Sequence, residues 1–209
     1  MNNKLLPLAW LLSLGLSLSG CSSSPPNNYY LLSANEFPVV SGDTPTLGIG
    51  PTEIPEYLSR ANLVYNRMDN RLQVASQDLW AEPLGDGIQR VLVLNLSGLL
   101  NTQHISYFPW HPERAPEYAV KVSLLQLDAT ENEAALTAEW LVYRPASAES
   151  VNRGISRLLI PLSPGAPEPE RVAGAYSALL FQLSEILAAA ITKDQVEGSN
   201  TAASRSAQP

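Results

Sequence analysis

Apolar and polar residues alternate over several short runs of the chain, and this pattern predicts β-strands. The alternation is clearest in residues 118–124 and 136–142, where every second side chain is apolar. A period of two places those side chains on one face, so each run predicts a half-buried strand. Weaker signals of the same kind predict further strands at residues 29–32, 46–52 and 155–162, and a hairpin at 63–75 with its turn at Asp69-Asn70.

Two longer segments have apolar residues at the spacing of a helix. In residues 84–100 they recur every three or four positions, although Gly85, Gly87 and Gly98 weaken the helix propensity. Residues 171–191 carry a more regular apolar stripe. Strands interspersed with two helices, each apolar on one face, predict an α/β fold. We expect a single domain in which two long helices pack on a mixed, mostly antiparallel sheet.

The N-terminus has the pattern of an export signal. Lys4 precedes a leucine-rich run, residues 5–18, that is too short and too interrupted to span a bilayer comfortably. The run ends at Leu18, and Ser19 and Gly20 separate it from Cys21, which is the single cysteine of the chain. Leu18-Ser19-Gly20-Cys21 resembles a bacterial lipobox.

The lipobox resemblance implies that the thiol of Cys21 is diacylated and that the chain is cut before this residue. The new N-terminus then receives a third acyl chain. One myristoyl chain binds a membrane with an association constant of only about 10⁴ M⁻¹, whereas two or more membrane signals anchor a protein stably. Ser22 stands where an Asp would favour retention at the inner membrane, so the resemblance points to the outer membrane.

The chain is therefore divided into four predicted segments. Residues 1–20 are a signal peptide, and residues 21–28 are the lipidated cysteine and a flexible Ser/Pro/Asn stalk. Residues 29–192 form the folded domain. Residues 193–209 are polar and rich in small side chains, which predicts a disordered tail.

Charge restricts the partners of this domain. The chain has 13 Lys and Arg against 20 Asp and Glu, a net charge of −7, and the basic residues are scattered. Nucleic acids and anionic lipid surfaces attract clustered basic residues. The composition therefore predicts no nucleic-acid partner, and a membrane association that depends on the acyl chains.

Catalytic and metal-binding patterns are missing from the sequence. His104 and His111 do not have the spacing of a zinc site, and there is no G-x-S-x-G, P-loop or dinucleotide-binding motif. Asp78, Glu82 and Asp86 have a spacing that suits one helical face, but acidic groups near a helix start are better explained by the helix dipole. We therefore predict a non-enzymatic protein with no cofactor apart from the acyl chains on Cys21.

Aromatic residues beside prolines suggest a rigid surface for a partner. Two segments have this composition, residues 54–58 (IPEYL) and 107–110 (YFPW). The alternative is that their rings only cover the core, which we favour for Trp80 and Trp140 and leave open for the two segments. The candidate partner surface consists of Ile54, Pro55, Tyr57, Leu58, Tyr107 and Trp110.

Several of these blocks together resemble a known family. The segments YYLL, IGPTEIPEYLSRANLVYNRMDNRLQVASQDLWAEPL, ISYFPW and EWLVYR are similar to PqiC/YmbA-type lipoproteins, the auxiliary lipoproteins of MCE-type and ABC-type lipid transport systems. The resemblance covers residues 29–191. It implies an α/β domain anchored in the outer membrane and facing the periplasm, which docks with a periplasm-spanning, PqiB-like MCE-domain protein.

The same resemblance implies a role in intermembrane lipid transport and envelope integrity. A homo-oligomer that matches the symmetric MCE rings is a further implication. Two alternatives are a lipid-anchored periplasmic hydrolase, for which no catalytic set can be assembled, and a structural lipoprotein that contacts peptidoglycan.

Overall fold

The structure is a computed structural model, which describes residues 25–67, 71–163, 165 and 168–206. Its strands and helices follow the predicted alternation along the chain. In order they are β1 (Asn28–Tyr30), β2 (Leu47–Glu53), β3 (Asn62–Arg67), β4 (Arg71–Trp80), α1 (Leu84–Leu100), β5 (Ile105–Tyr107), β6 (Tyr118–Ala129), β7 (Glu133–Arg144), β8 (Glu149–Pro161) and α2 (Pro169–Ser206).

The strands form two sheets. The larger has the order β5-β2-β6-β7-β8, with β5, β2 and β6 parallel and the remaining pairs antiparallel. The smaller has the order β1-β4-β3, in which β1 is parallel and β3 antiparallel to β4. The predicted α/β class with mixed pairing is confirmed, but the strands divide between two sheets because β1 and β3 pair with β4, not with β2.

The predicted elements are recovered with differences at their ends. Helix α1 occupies the predicted residues 84–100. Strands β6 and β7 are longer than predicted because their antiparallel register continues to Ala129 and Ala134, where the amide of Thr130 donates to the carbonyl of Glu133 at 2.8 Å. The predicted hairpin is formed by β3 and β4, and its turn residues lie outside the described residues.

Both helices bury their apolar stripes in one core with the sheets. On α1 the buried side chains include Ile88, Leu92 and Leu96, and α2 is buried along its length from Val172 to Ile191. By length and composition alone α2 could cross a membrane, but most of its apolar window is buried inside the domain. Its apolar character therefore serves the core.

Helix α2 continues beyond the predicted end of the domain, which corrects the expected disordered tail from Lys193 to Ser206. The carboxylate of Asp194 accepts a hydrogen bond from the hydroxyl of Tyr118 at 2.7 Å and pairs with the guanidinium of Arg144. That guanidinium also lies 4.7 Å from the ring centroid of Tyr118. These long-range contacts tie the start of the extension to β6 and β7, and composition alone does not reveal them.

The acidic residues near α1 do not share a helical face. Asp78 lies in β4, Glu82 precedes the helix, and only Asp86 is in its first turn. Asp78 accepts hydrogen bonds from the side chains of Asn28 at 3.0 Å and Tyr30 at 3.2 Å, which fixes β1 on β4. The predicted shared face is therefore wrong, and the helix-dipole explanation fits Asp86 alone.

Candidate partner-binding surface

The predicted lipidation site, Cys21 with Leu18, Ser19 and Gly20, lies outside the described residues. The described chain starts with the exposed, irregular residues 25–27. Asn28 is already part of β1, so the folded region begins at the last residue of the predicted stalk, one residue before the predicted start of the domain.

The first predicted surface segment is partly turned into the domain. After β2 the chain forms a short 3₁₀ turn over Glu56–Leu58, which buries Leu58 to 3 % exposure. Its side chain is therefore not available to a partner, which corrects that part of the prediction. Ile54 and Pro55 are half-buried, and Ile54 packs beside Gly85 at the start of α1.

Tyr57 is held by hydrogen bonds within the domain. Its hydroxyl donates to the Asp128 carboxylate at 3.1 Å and accepts a bond from the Leu127 amide at 3.3 Å. Burial is the main reason that the pKa of Tyr57 is raised to about 12, and the nearby Asp128 carboxylate adds to it. Tyr57 therefore braces the 3₁₀ turn against β6 and offers a partner only part of its ring.

The raised pKa of Tyr57 predicts alkaline instability. Because the neutral phenol is favoured in the folded state, its contribution to stability is complete below pH 10 and is lost as the pH rises towards about 12. Burial raises the pKa values of Tyr65, Tyr118 and Tyr176 as well, so unfolding should be cooperative in strong alkali. A titration that follows tyrosinate absorbance and circular dichroism together measures this.

The matched variants for the titration are Tyr57→Phe and Tyr107→Phe, since Tyr107 is an exposed ring. Tyr57→Phe should remove part of the stability loss above pH 10, and Tyr107→Phe should leave the loss unchanged. Ionisation of Tyr57 without any loss of structure would contradict the prediction.

The second segment is the exposed one. Tyr107 ends β5 and is 52 % exposed, and Phe108 is 48 % exposed. The ring of Trp110 meets that of Phe108 edge to face, with their centroids 5.4 Å apart. We call residues 107–110 the aromatic turn.

The aromatic turn is held against β2 by glycines. The Phe108 amide donates to the Ile49 carbonyl at 3.0 Å. A Cβ atom at Gly48 would lie 2.6 Å from Cζ3 of Trp110, so the indole packs directly on the backbone there. Gly50 has a φ of +112°, which favours glycine, and a Cβ atom there would lie 3.2 Å from that of Phe108. The backbone that carries the exposed rings of Tyr107 and Phe108 is therefore fixed against β2.

The six candidate residues differ in exposure, and Ile54 and Pro55 are half-buried. Leu58 is core, Tyr57 and Trp110 are partly committed to internal packing, and Tyr107 is the most exposed of these four. The predicted set omitted Phe108, although it lies in the same YFPW segment and is as accessible as Tyr107. Trp80 and Trp140 are buried, which confirms that these rings cover the core.

The acidic side chains and histidines of the described residues do not assemble a metal site. Among them, no group of three or more His, Cys, Asp or Glu is placed to hold a metal ion. His104 pairs with Asp43 at 3.3 Å on the exposed surface, and the Nδ1 atom of His111 accepts from the Glu113 amide. His111 thus caps the short turn that follows it, and His104 contacts a residue that is distant in sequence.

A sequence profile of the family described as ABC-type transport auxiliary lipoprotein component matches residues 29–188. The chain belongs to this family. The match runs from β1 through most of α2, so family membership covers both sheets, both helices and the aromatic turn. The helical extension after residue 188 lies beyond it.

Two relatives are named intermembrane transport lipoprotein PqiC, from Escherichia coli (strain K12) and from Shigella flexneri. Each is 36 % identical to this chain over 98 residues, which is 42 % of this chain and 50 % of the relative. The chain therefore spans about half the length of the curated relatives it matches.

Solved structures share the fold. The crystal structure of protein XCC0632 from Xanthomonas campestris aligns with a TM-score of 0.67 and 13 % identity, covering 83 % of this chain and 99 % of that one. A crystal structure of an uncharacterized protein aligns with a TM-score of 0.62 and 19 % identity, covering 80 % of this chain and 99 % of that one. At these identities the likeness shows the fold alone.

Proposed function

We propose that this chain is a lipid-anchored, non-enzymatic component of an MCE-type intermembrane lipid transport system. Membership of the auxiliary lipoprotein family is the observation that carries the proposal, and the PqiC relatives supply the kind of transport. In this role Cys21 carries the acyl chains, which anchor the domain to the outer membrane so that it faces the periplasm. Support for envelope integrity follows from the transport role.

The proposed partner is a periplasm-spanning MCE-domain protein, and the proposed docking site is the aromatic turn. Exposed aromatic rings that are fixed by their own packing lose little conformational freedom on binding, which is why such rings dominate binding energy at interfaces. Tyr107 and Phe108 are half exposed, and Trp110 supports Phe108 from the side. The half-buried Ile54 and Pro55 are secondary members of this surface.

A photo-crosslinking amino acid at position 107 tests the docking. In intact cells it should capture the MCE-domain protein, because the ring at this position points to solvent. The matched control is position 72 on β4, where Leu72 is 43 % exposed and lies in the smaller sheet. Equal capture from both positions, or capture only of unrelated envelope proteins at 107, would refute the aromatic turn as the docking site.

Self-association is the remaining part of the proposal. Strand β8 is 13 residues long and, in the described part of the chain, pairs only with β7. An open edge of this length is a template for pairing with another strand. The edge of β8 therefore supports the proposed homo-oligomer.

A further inference from the structure

A groove lies between the chain after β1 and helix α1. One wall is the irregular segment 31–40, and the other is the face of α1 that carries Arg90, Leu94 and Gly98. Its volume is about 760 Å³, within the range of small-molecule sites. We call it the N-terminal groove.

The segment 31–40 is fixed to both helices. The Ser33 amide donates to the Ser177 hydroxyl of α2 at 3.1 Å, and the Asn35 amide donates to the Asn95 side chain of α1 at 3.0 Å. The guanidinium of Arg90 donates to the Leu32 carbonyl at 2.9 Å. Hydrogen bonds at Leu32, Ser33 and Asn35 therefore fix this wall of the groove.

The outer rim of the groove is a loop of four consecutive apolar residues, Phe37-Pro38-Val39-Val40, which we call the FPVV loop. Phe37 holds the loop: a Cβ atom at Gly98 would lie only 2.1 Å from its ring, and its centroid is 6.3 Å from that of Phe181. Val39 is 94 % exposed, and Pro38 is exposed as well. Exposed apolar runs of this kind mark a surface that a partner covers.

Two further large apolar side chains extend the exposed rim. Leu31 follows β1, and Leu94 lies on α1, and about half of each side chain is exposed. Both line the groove together with Pro38 and Val40. The apolar surface is therefore continuous from the rim into the groove.

The charge in the groove is balanced. Arg90 and Glu82 are its charged lining residues, and they form an ion pair at 2.5 Å. A groove with paired charges and apolar walls does not select an anionic or a cationic ligand. It suits a hydrocarbon chain.

The position of the groove along the chain indicates where such a hydrocarbon comes from. Residues 22–27 separate Cys21 from β1, and Leu31 follows β1 directly. The seven residue steps from Cys21 to Asn28 can span at most about 25 Å. A groove this close to the anchor is held within reach of the bilayer surface.

We propose that the FPVV loop enters the lipid surface to which the chain is anchored, and that the N-terminal groove takes up an acyl chain of a phospholipid from that surface. The proposal rests on the proposed function through the anchor at Cys21. It adds direct lipid contact to the docking role. The aromatic turn is a separate surface, so both contacts can exist together.

Site-specific fluorescence in vesicles tests the proposal. The full, acylated protein carrying Val39→Cys is labelled with a polarity-sensitive dye and reconstituted in phosphatidylcholine vesicles; acylated Cys21 is the single native cysteine and takes no label. Lipids brominated on their acyl chains should quench the dye and shift its emission to the blue. High salt should leave the quenching unchanged, because the groove carries no net charge. The matched control is Leu125→Cys on β6, because Leu125 is 50 % exposed and does not line the groove; it should show neither effect.

A second label separates the groove from the loop. Leu94→Cys should be quenched most strongly by bromines placed in the middle of the acyl chain. Absence of quenching at position 39, or equal quenching at positions 39 and 125, overturns the lipid contact. Quenching at 39 without quenching at 94 overturns the acyl-chain site.

Two further readouts distinguish other outcomes. Disulfide formation between copies through Val39→Cys, without quenching, shows that a second copy covers the loop and overturns the proposal. Flotation of the same samples reports the anchor: protein that does not float with the vesicles refutes the proposed function, whereas floating protein without quenching refutes only this inference.

Discussion

Replacing Cys21 with alanine, behind an ordinary cleavable signal peptide, should move the protein from the membrane fraction to the soluble periplasmic fraction. Each CH₂ group buried in the bilayer contributes about 0.8 kcal/mol, so the loss of all acyl chains removes far more binding energy than the domain surface supplies. The lipid contact proposed for the FPVV loop involves a few side chains and does not replace it. Fractionation followed by immunoblotting measures the change.

The control for the anchor is Ser23→Ala, which leaves Cys21 and its lipobox intact and should remain in the membrane. Intact-mass spectrometry of the unmodified protein should also show cleavage before residue 21 and the added acyl mass. An unacylated mature protein, or an alanine variant that stays in washed membranes, would remove the basis of the anchor.

Replacing Trp80 with alanine should lower the free energy of unfolding by about 3–5 kcal/mol. Trp80 ends β4, is buried, and stacks on Tyr176 of α2 with centroids 6.2 Å apart. Its loss leaves a cavity where the smaller sheet meets the long helix. For a chain of this size the melting temperature should fall by about 10 °C or more, which thermal and denaturant unfolding can measure.

Two further variants are controls for the effect of Trp80→Ala on stability. Trp80→Phe keeps most of the buried ring and should lose clearly less stability than the alanine variant. Phe108→Ala removes a half-exposed ring and should cost about 1 kcal/mol or less. If Trp80→Ala and Phe108→Ala lower the free energy of unfolding equally, Trp80 does not hold the smaller sheet against α2.

The features that were predictable from sequence are those encoded locally. The apolar stripe of residues 84–100 is complete within the helix, so its period identified α1 with its correct ends. The alternation in β6 and β7 is likewise local, and only the lengths of these strands were underestimated. The lipobox around Cys21 is also a contiguous motif, but it lies outside the described residues and stays a prediction.

Features that depend on distant pairing were not predictable. The division into two sheets follows from the pairing of β1 with β4, which lies across about fifty intervening positions and leaves no local pattern. The start of the α2 extension is held by the ion pair of Asp194 with Arg144, whereas polar composition alone suggested disorder there. Leu58 was assigned to the surface because its neighbours are proline and tyrosine, whereas the 3₁₀ turn directs it inward.

The candidate surfaces also depend on contacts between residues that are distant in sequence. The YFPW composition identified the aromatic turn. That Phe108 is more exposed than Trp110 could not be predicted, because it depends on the pairing of β5 with β2. The N-terminal groove has walls from residues 31–40 and from α1, joined by bonds such as that between Asn35 and Asn95. No single stretch of sequence contains both walls, so the groove becomes visible only in the structure.

The attachment of β1 has a mechanical consequence for a tethered protein. Force that arrives through residues 25–27 acts first on β1, which lies parallel along β4 and is further fastened by the bonds of Asn28 and Tyr30 to Asp78. A pull along the strand loads these bonds together, so they share the tension and do not break one after another. With the proposed anchor at Cys21, the domain can therefore keep its fold while force acts on its N-terminal segment.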